Sequence, residues 1–374
     1  MSDYATIAVN SYTLKVTAAG DTTSVLASTF TFSPSKDKNY TAVATGRNGT
    51  ARLVTLLDDE DTTNVVENTS RVRVYNASPD AGSLDVYITN VADIAEVSPT
   101  FGSTTATVVG GFRDVASGTY RLRVTGAGDV NDVRLDVNNL VLASKQASTL
   151  VITTGSGGVL ANAAQIIQGG AVNTFKNTQA RVRVIAGAQA AGLVAVSLDG
   201  SALGSALRSP SIGSYQRITA GTKTLAITLN GSSVASSSQT FTAGNDYTVV
   251  AFGTVAAPQS SVFTDDNRLP ASGRYRVRLI HADAAVDAVT FQVDSQPLPG
   301  LESVQPGTAS TWATGNADTS ARVEILTTSG IEQIFADNEF ALASQGVYTA
   351  FVLGGKSVAG TGAPVSTGIV RKDR

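Results

Sequence analysis

Tandem antiparallel β-sandwiches of the immunoglobulin-like kind, in an all-β chain, are what this sequence predicts, and three observations predict them. A strand–turn–strand phrase, RVRVYNASPDAGSLDVYITN at 71–90, returns as RVRVIAGAQAAGLVAVSLDG from Arg181 and as RVRLIHADAAVDAVTFQVD from Arg276. Two other phrases each occur four times, in constant order with the first. The segments between them carry Gly, Asn and Pro, and no long stretch has the amphipathic period of a helix.

The opening phrase alternates. Val72 and Val74 are expected to face inward, with Arg71 and Arg73 toward water. Ser78-Pro79-Asp80-Ala81-Gly82 supplies turn chemistry, and Leu84, Val86 and Ile88 return to the core, so the phrase reads as a hairpin. The second phrase is NSYTLKVTAAG at 10–20, GTYRLRVTGAG at 118–128, GTKTLAITLNG at 221–231 and TSARVEILTTSG at 319–330. Each alternates and then closes on Gly, as a half-buried strand entering a turn does. The third phrase is NYTAVATG at 39–46, STLVITTG at 148–155, DYTVVAFG at 246–253 and VYTAFVLGG at 347–355. Its continuous apolar character predicts a central strand. Tyr40, Tyr247 and Tyr348 head this strand and are placed to fold back onto a loop, with Thr149 in that position in the second copy. LANAAQIIQGG at 160–170 reads as a helical turn.

Corresponding points lie about 95 to 110 residues apart, the size of one sandwich. Boundaries in polar stretches divide the chain into 1–68, 69–178, 179–272 and 273–374. The first of these lacks the opening phrase, because only 11 residues precede Tyr12, the counterpart of Tyr120. Two expectations follow: a sequence that is part of a longer one, or a gap that receives a strand from a second molecule and so builds a polymer by strand addition.

Charged residues make up 15% and the net charge is −3, which gives no electrostatic footprint for nucleic acid or anionic lipid. No cysteine is present, which excludes disulfides and thiolate-ligated metals. The most apolar run, YTVVAFGTVAA at 247–257, is too short to span a bilayer and reads as a buried strand. No export signal is visible in the chain.

The opening phrase resembles domain-of-unknown-function family 4397, whose units begin R-V-hydrophobic-H/N-A-S-P-D-A and continue D-V-Y. Gly118 to Val124 and Ala243 to Thr248 are similar to its later signatures. The resemblance implies an extracellular bacterial or archaeal module, secreted or lipid-anchored, with an immunoglobulin-like or transthyretin-like sandwich fold and no established activity. The family's two prominent acids stand here at Asp80 and Asp85; they become Ala190 and Ala195 in the third copy, and Asp85 becomes Thr290 in the fourth. Asn76 becomes Ala186 and then His281. A catalytic set would not survive such drift, whereas turn chemistry would.

One histidine, His281, limits nucleophilic catalysis to a set with Asp283 or Asp287, and no Gly-x-Ser-x-Gly elbow accompanies it. A loop histidine is the expectation. Acidic clusters Asp58-Asp59-Glu60-Asp61 and Asp265-Asp266 follow equivalent final strands. Asp58, Asp59, Asp61, Asp265 and Asp266 are the candidate calcium ligands, although neither stretch has a regular calcium loop and solvated linker charge is the expected role. Trp312 is a candidate sugar platform, with packing as the simpler expectation. The sequence therefore predicts no catalytic residue and no cofactor other than this calcium candidate. It predicts a non-catalytic structural, adhesive or binding protein of a bacterial cell surface or periplasm. A protein or glycan partner is expected, with a carbohydrate- or matrix-binding module as the alternative.

Overall fold

The computed structural model of the chain describes residues 5–374 apart from 18, 22, 24–29, 47–52, 60, 191, 331 and 358–363. Strands make the whole fold; the one helical element among the described residues is a short 3-10 turn, Pro79–Ala81. The chain divides into two compact units, Met1–Asn177 and Thr178–Arg374.

In the first unit, one complete sandwich begins with an opening strand, Thr69–Asn76, carrying the R-V-R-V phrase. It lies between a flanking strand, Arg113–Ala116, and a threonine strand, Ala147–Thr154, with the closing strand Ala161–Ile167 beyond. The facing sheet holds Leu84–Ile88, Gly118–Gly126 and Asp129–Leu142. Val72, Val74, Leu84, Val86, Leu122, Val124, Leu150 and Ile152 fill the space between the sheets. Each such side chain contributes about 1.5–3 kcal/mol of burial. The first copy contributes two two-stranded sheets, Tyr12–Leu14 with Phe30–Phe32 and Tyr40–Thr45 with Leu53–Asp58.

The second unit repeats the plan twice. Its opening strands are Gln179–Ala188 and Arg274–Ala282, its threonine strands Asp246–Gly253 and Val347–Ser357, and its closing strands Pro258–Asp265 and Pro364–Lys372. Each sandwich encloses its own apolar core. Gly20, Gly128, Gly231 and Gly330, which close the second phrase in the four copies, all have positive φ, a conformation that costs glycine least.

Four expectations are corrected. The opening phrase is an arch rather than a hairpin, since its two strands lie in opposite sheets in every complete copy. The sandwiches are not wholly antiparallel, because the opening and threonine strands pair in parallel, as Arg73 with Thr149, Arg183 with Thr248 and Arg278 with Thr349. A parallel pair needs a long crossover, and the excursion through the facing sheet provides it. Residues 161–167 are strand: Ala161 and Ala163 alternate into the core, and the segment pairs on both sides. The same registers place Ser148, rather than Thr149, at the tyrosine position. The three tyrosines do fold back, each phenol oxygen accepting the N–H five residues upstream, from Ser35, Thr242 and Ala343.

Candidate functional site

Alternation sends every second residue of the opening strand away from its own core, and that outer face is covered in both units. In the second unit, Ile185, Val250 and Phe252 of the third copy pack against Ile280, Ala282, Phe351 and Leu353 of the fourth. A Cβ on Gly187 would meet the Ala282 carbonyl at 2.7 Å, so the two backbones approach closely there. In the first unit, Tyr75, Ala77 and Val151 pack against Leu57 of the first copy, and the Tyr75 hydroxyl meets Thr55 Oγ1 at 2.8 Å. Burial on both faces is why the threonine strands carry apolar residues at successive positions, as Leu150, Val151 and Ile152 do.

Arg73 was expected to face water and is 6% exposed; its counterparts Arg183 and Arg278 are 0% and 2% exposed. The outward face is a contact face, so arginine there is enclosed. Each Nε donates to the threonine opposite it, at 2.9 Å to Thr149, 2.9 Å to Thr248 and 3.5 Å to Thr349. An aromatic ring lies against each guanidinium: Phe112 at 4.3 Å from Arg73, Tyr215 at 4.7 Å from Arg183 and Trp312 at 4.8 Å from Arg278. Trp312 also stacks on Arg276 at 4.2 Å, so this ring is engaged with cations of its own chain.

Between the third and fourth copies the arginines are exchanged. Arg183 of the third reaches Asp373 of the fourth at 2.5 Å, and Arg278 of the fourth bonds Asp265 of the third. Thr248 donates to Asp265 at 2.6 Å and Thr349 to Asp373 at 2.5 Å. The junction is thus a pseudo-twofold, with Arg, Thr and Asp supplied once by each side. Tyr215 adds a further bond to Asp265 at 2.5 Å. Burial by itself would raise the Asp265 carboxyl; Arg278, Arg183 and the two hydroxyl bonds outweigh it, and its pKa lies below the ordinary carboxylate value. Burial likewise opposes the charge of Arg183, and Tyr215, Asp373 and Asp265 overcome it, so the guanidinium pKa is raised. Burial, then Asp265, drives the Tyr215 phenol well above its ordinary value.

The strand registers place Asp59, Gln168, Asp265 and Asp373 at one position, each following the residue paired with the head of the threonine strand. In the first unit Asp59 lines a cavity with Thr41, Arg73, Phe112, Thr149 and Gln168.

The calcium candidates are placed as follows. Asp265 lies in the buried network just described. Asp266 is bonded to Arg268 at 2.7 Å and Arg276 at 3.1 Å, which with its other bonds outweigh burial and depress its pKa. Asp61 accepts from Thr63 and has a lowered pKa. Asp58 ends a strand, and its side chain, like Glu60, lies outside the described residues. Among the described residues no three metal-ligating side chains gather. Guanidinium already holds Asp265 and Asp266, so millimolar calcium is expected to leave the melting temperature of the chain unchanged by differential scanning calorimetry.

His281 is buried. Its Nε2 lies 3.2 Å and 3.0 Å from the carbonyls of Val286 and Asp287, which only accept, so Nε2 carries the proton. Nδ1 accepts from the Asp283 N–H at 3.4 Å. The Asp283 carboxylate instead accepts from Gln189 at 2.7 Å and Ser366 at 2.7 Å. Neither Asp283 nor Asp287 orients the ring through its carboxylate. Asn76 does the same work in the second copy, donating to the carbonyls of Gly82 at 2.8 Å and Thr104 at 3.1 Å. Asp85 holds the Ser103 and Gly128 N–H groups at 2.7 Å and 2.8 Å; Thr290 in the fourth copy takes the Ser303 N–H at 3.3 Å. Arch and turn chemistry explains this drift between copies.

Burial depresses the His281 pKa below its ordinary value, its carbonyl contacts only partly opposing this. The unfolded chain therefore takes up the proton first. The stabilising contribution is complete above about pH 6.5 and is lost as pH falls through the lower folded value. His281→Asn is expected to keep the fold and flatten that part of the stability profile, measured by urea denaturation between pH 7.5 and 5.

Sequence reasoning missed the arginine–threonine–aspartate junction. The signal was available in the recurrence of Arg, Thr and an aromatic six or seven residues before the second phrase.

The family model described as Domain of unknown function (DUF4397) matches residues 1–87, 70–197 and 180–292. No curated protein matches the chain. Solved structures similar to it include three described as a "putative cell adhesion protein". One from Bacteroides uniformis has 13% identity and a TM-score of 0.24, covering 55% of this chain and 99% of that one. One from Bacteroides eggerthii has 10% identity and a TM-score of 0.22, covering 55% and 98%. The third, from Bacteroides fragilis, has 12% identity and a TM-score of 0.16, covering 52% and 97%. No helix among the described residues is long and apolar enough to cross a membrane, which says nothing of a strand-built crossing.

Proposed function

Because this chain belongs to the family described as Domain of unknown function (DUF4397), we propose that it is a non-catalytic repeat protein of a bacterial cell surface or periplasm, with a structural or adhesive role built on sandwiches joined in pairs. The domain divisions at 68/69, 178/179 and 272/273 are part of the same proposal. One observation carries it: the residues with chemical potential are engaged in holding the chain to itself. Arg183, Arg278, Asp265, Asp373 and Tyr215 join two copies, Trp312 stacks on two arginines, and His281 ties an arch. Exchanged ion pairs with apolar packing around them suit a part that transmits load without bending at its joint.

The test is mechanical. With the full chain stretched from its ends, the third and fourth copies are expected to part only at forces that also unfold a sandwich. A junction opening at a small fraction of that force would overturn the structural role. Saturable binding on a glycan array would favour the carbohydrate-binding alternative instead.

A further inference from the structure

The connection that follows the second strand of the opening phrase sets the second copy apart. In the third copy Leu198 turns through Asp199 and Gly200 into Ser201–Ala202, and in the fourth Val293 turns through Asp294 and Ser295 into Gln296–Pro297. In the second, residues 89–100 separate Leu84–Ile88 from Phe101–Thr104. The point of departure is the same in all three. Asn90 Oδ1 accepts the Arg121 N–H at 2.9 Å, as Asp199 accepts that of Thr224 at 2.8 Å and Asp294 that of Arg322 at 2.9 Å. Residues 91–100 are therefore a strap added to the second copy.

Arg123 ties the strap to the outward face of the facing sheet. Its neighbours Leu122 and Val124 point into the core, so Arg123 points away from it. Its Nη1 donates to the Ala92 carbonyl at 2.8 Å and its Nη2 to that of Val91. Tyr87, which pairs with Arg123 in the ladder, and Ile94 of the strap are both buried, and neither belongs to the core between the sheets.

The clasp is electrostatically incomplete. Arg123 is 3% exposed, its Nε is buried without a hydrogen-bond partner, and no carboxylate among the described residues bonds it. Burial, and then Arg121, lowers its guanidinium pKa, which Asp136 and Asp93 only partly oppose. A buried charge without a paired counter-charge is costly. The counter-charge is close by, for Asp136 stands directly opposite Arg123 in the ladder, on the same face. Arg121, two residues earlier on the strand, holds that carboxylate instead, through two bonds of 2.6 Å. Both members of this pair are partly exposed, whereas Arg123 is enclosed.

We infer that residues 91–100 form a latch, closed while Arg121 occupies Asp136 and released when Asp136 is free to take Arg123. In the closed arrangement Arg123 serves the strap carbonyls and Asp136 serves Arg121. In the open one Arg123 turns to Asp136, the carbonyls of Val91 and Ala92 pass to water, and Tyr87 is uncovered. Arg121 is the trigger, because it is the cation that solvent reaches. The inference goes beyond the structural role proposed above and concerns the second copy alone.

The chain has no cysteine, so Ile94→Cys supplies a single thiol under the strap, and its reaction with an aromatic disulfide reagent times the opening. Adding R121M to the full I94C chain is expected to speed this reaction about tenfold, since Asp136 then draws Arg123 away. R121M/D136N is expected to return the rate to that of I94C alone, because no carboxylate remains to compete with the strap. R123M is expected to open the strap whether or not D136N accompanies it. Cleavage at Glu96 by a glutamate-specific protease gives a second readout on chains that keep Ile94, and the same order of rates is expected. An R121M chain as slow as its parent by both readouts would overturn the inference. So would an R121M/D136N chain as fast as R121M, which is the result expected if losing Arg121 merely weakens the sandwich.

Discussion

Replacing Asp265 with alanine is expected to cost about 3–5 kcal/mol, because it strips a buried ion pair of one partner and leaves the other charged. Asp265 is 2% exposed and accepts from Arg278, Thr248 and Tyr215. Arg278 keeps its charge in the variant, with the Trp312 ring on one side and no carboxylate from Asp265 on the other. Trp312 is the only tryptophan of the chain and stacks on this arginine, so its emission during urea denaturation reads the junction directly. The double variant D265L/R278M removes both charges and is expected to recover more than half of the loss, as uncharged replacements of buried pairs do. Equal losses in single and double variants would mean that packing, rather than charge pairing, holds the joint. The pH dependence has a definite sign. The folded pKa of Asp265 is depressed, so its contribution is complete above the ordinary carboxylate value near 3.9 and is lost as pH falls through the folded value. An Asp265→Asn chain is expected to lack that part of the acid transition.

Phe351→Ala is expected to cost about 3–5 kcal/mol as a large-to-small change at a fully buried site. Its location gives the loss a particular character. Phe351 packs on the outer face with Ile185 and Val250 of the third copy, and its centroid lies 5.3 Å from the Arg183 guanidinium carbon. Phe291, of the same type and also fully buried, belongs to the fourth copy's own core. Phe351→Ala should therefore part the copies before either unfolds, while Phe291→Ala should unfold the fourth sandwich itself. Limited trypsin digestion separates the two outcomes. Arg268 lies in the connection between the copies and is held by Asp266. Early cleavage there, with both flanking sandwiches intact, is expected for Phe351→Ala alone.

The strands were legible because alternation and turn residues are local properties. Val72 and Val74 face inward as read, the glycines closing the second phrase take positive φ, and Tyr40, Tyr247 and Tyr348 fold back as their position implied. Residues 160–170 misled because alanine and isoleucine suit either element in isolation, and pairing with strands on both sides decided the matter. Thr149 was misplaced by one residue because the second copy has no tyrosine to anchor the comparison; the pairing of Arg73 with Thr149 supplies the anchor.

By itself the sequence determined that one β-rich block is written several times and which residues point into its core. Only the tertiary structure decided which sheet each strand joins and what covers the outward face. A two-residue period says which way a side chain points and nothing about what it meets there. Arg73, Arg183 and Arg278 point away from their own cores as the pattern requires, and they are buried because another copy of the block lies against them.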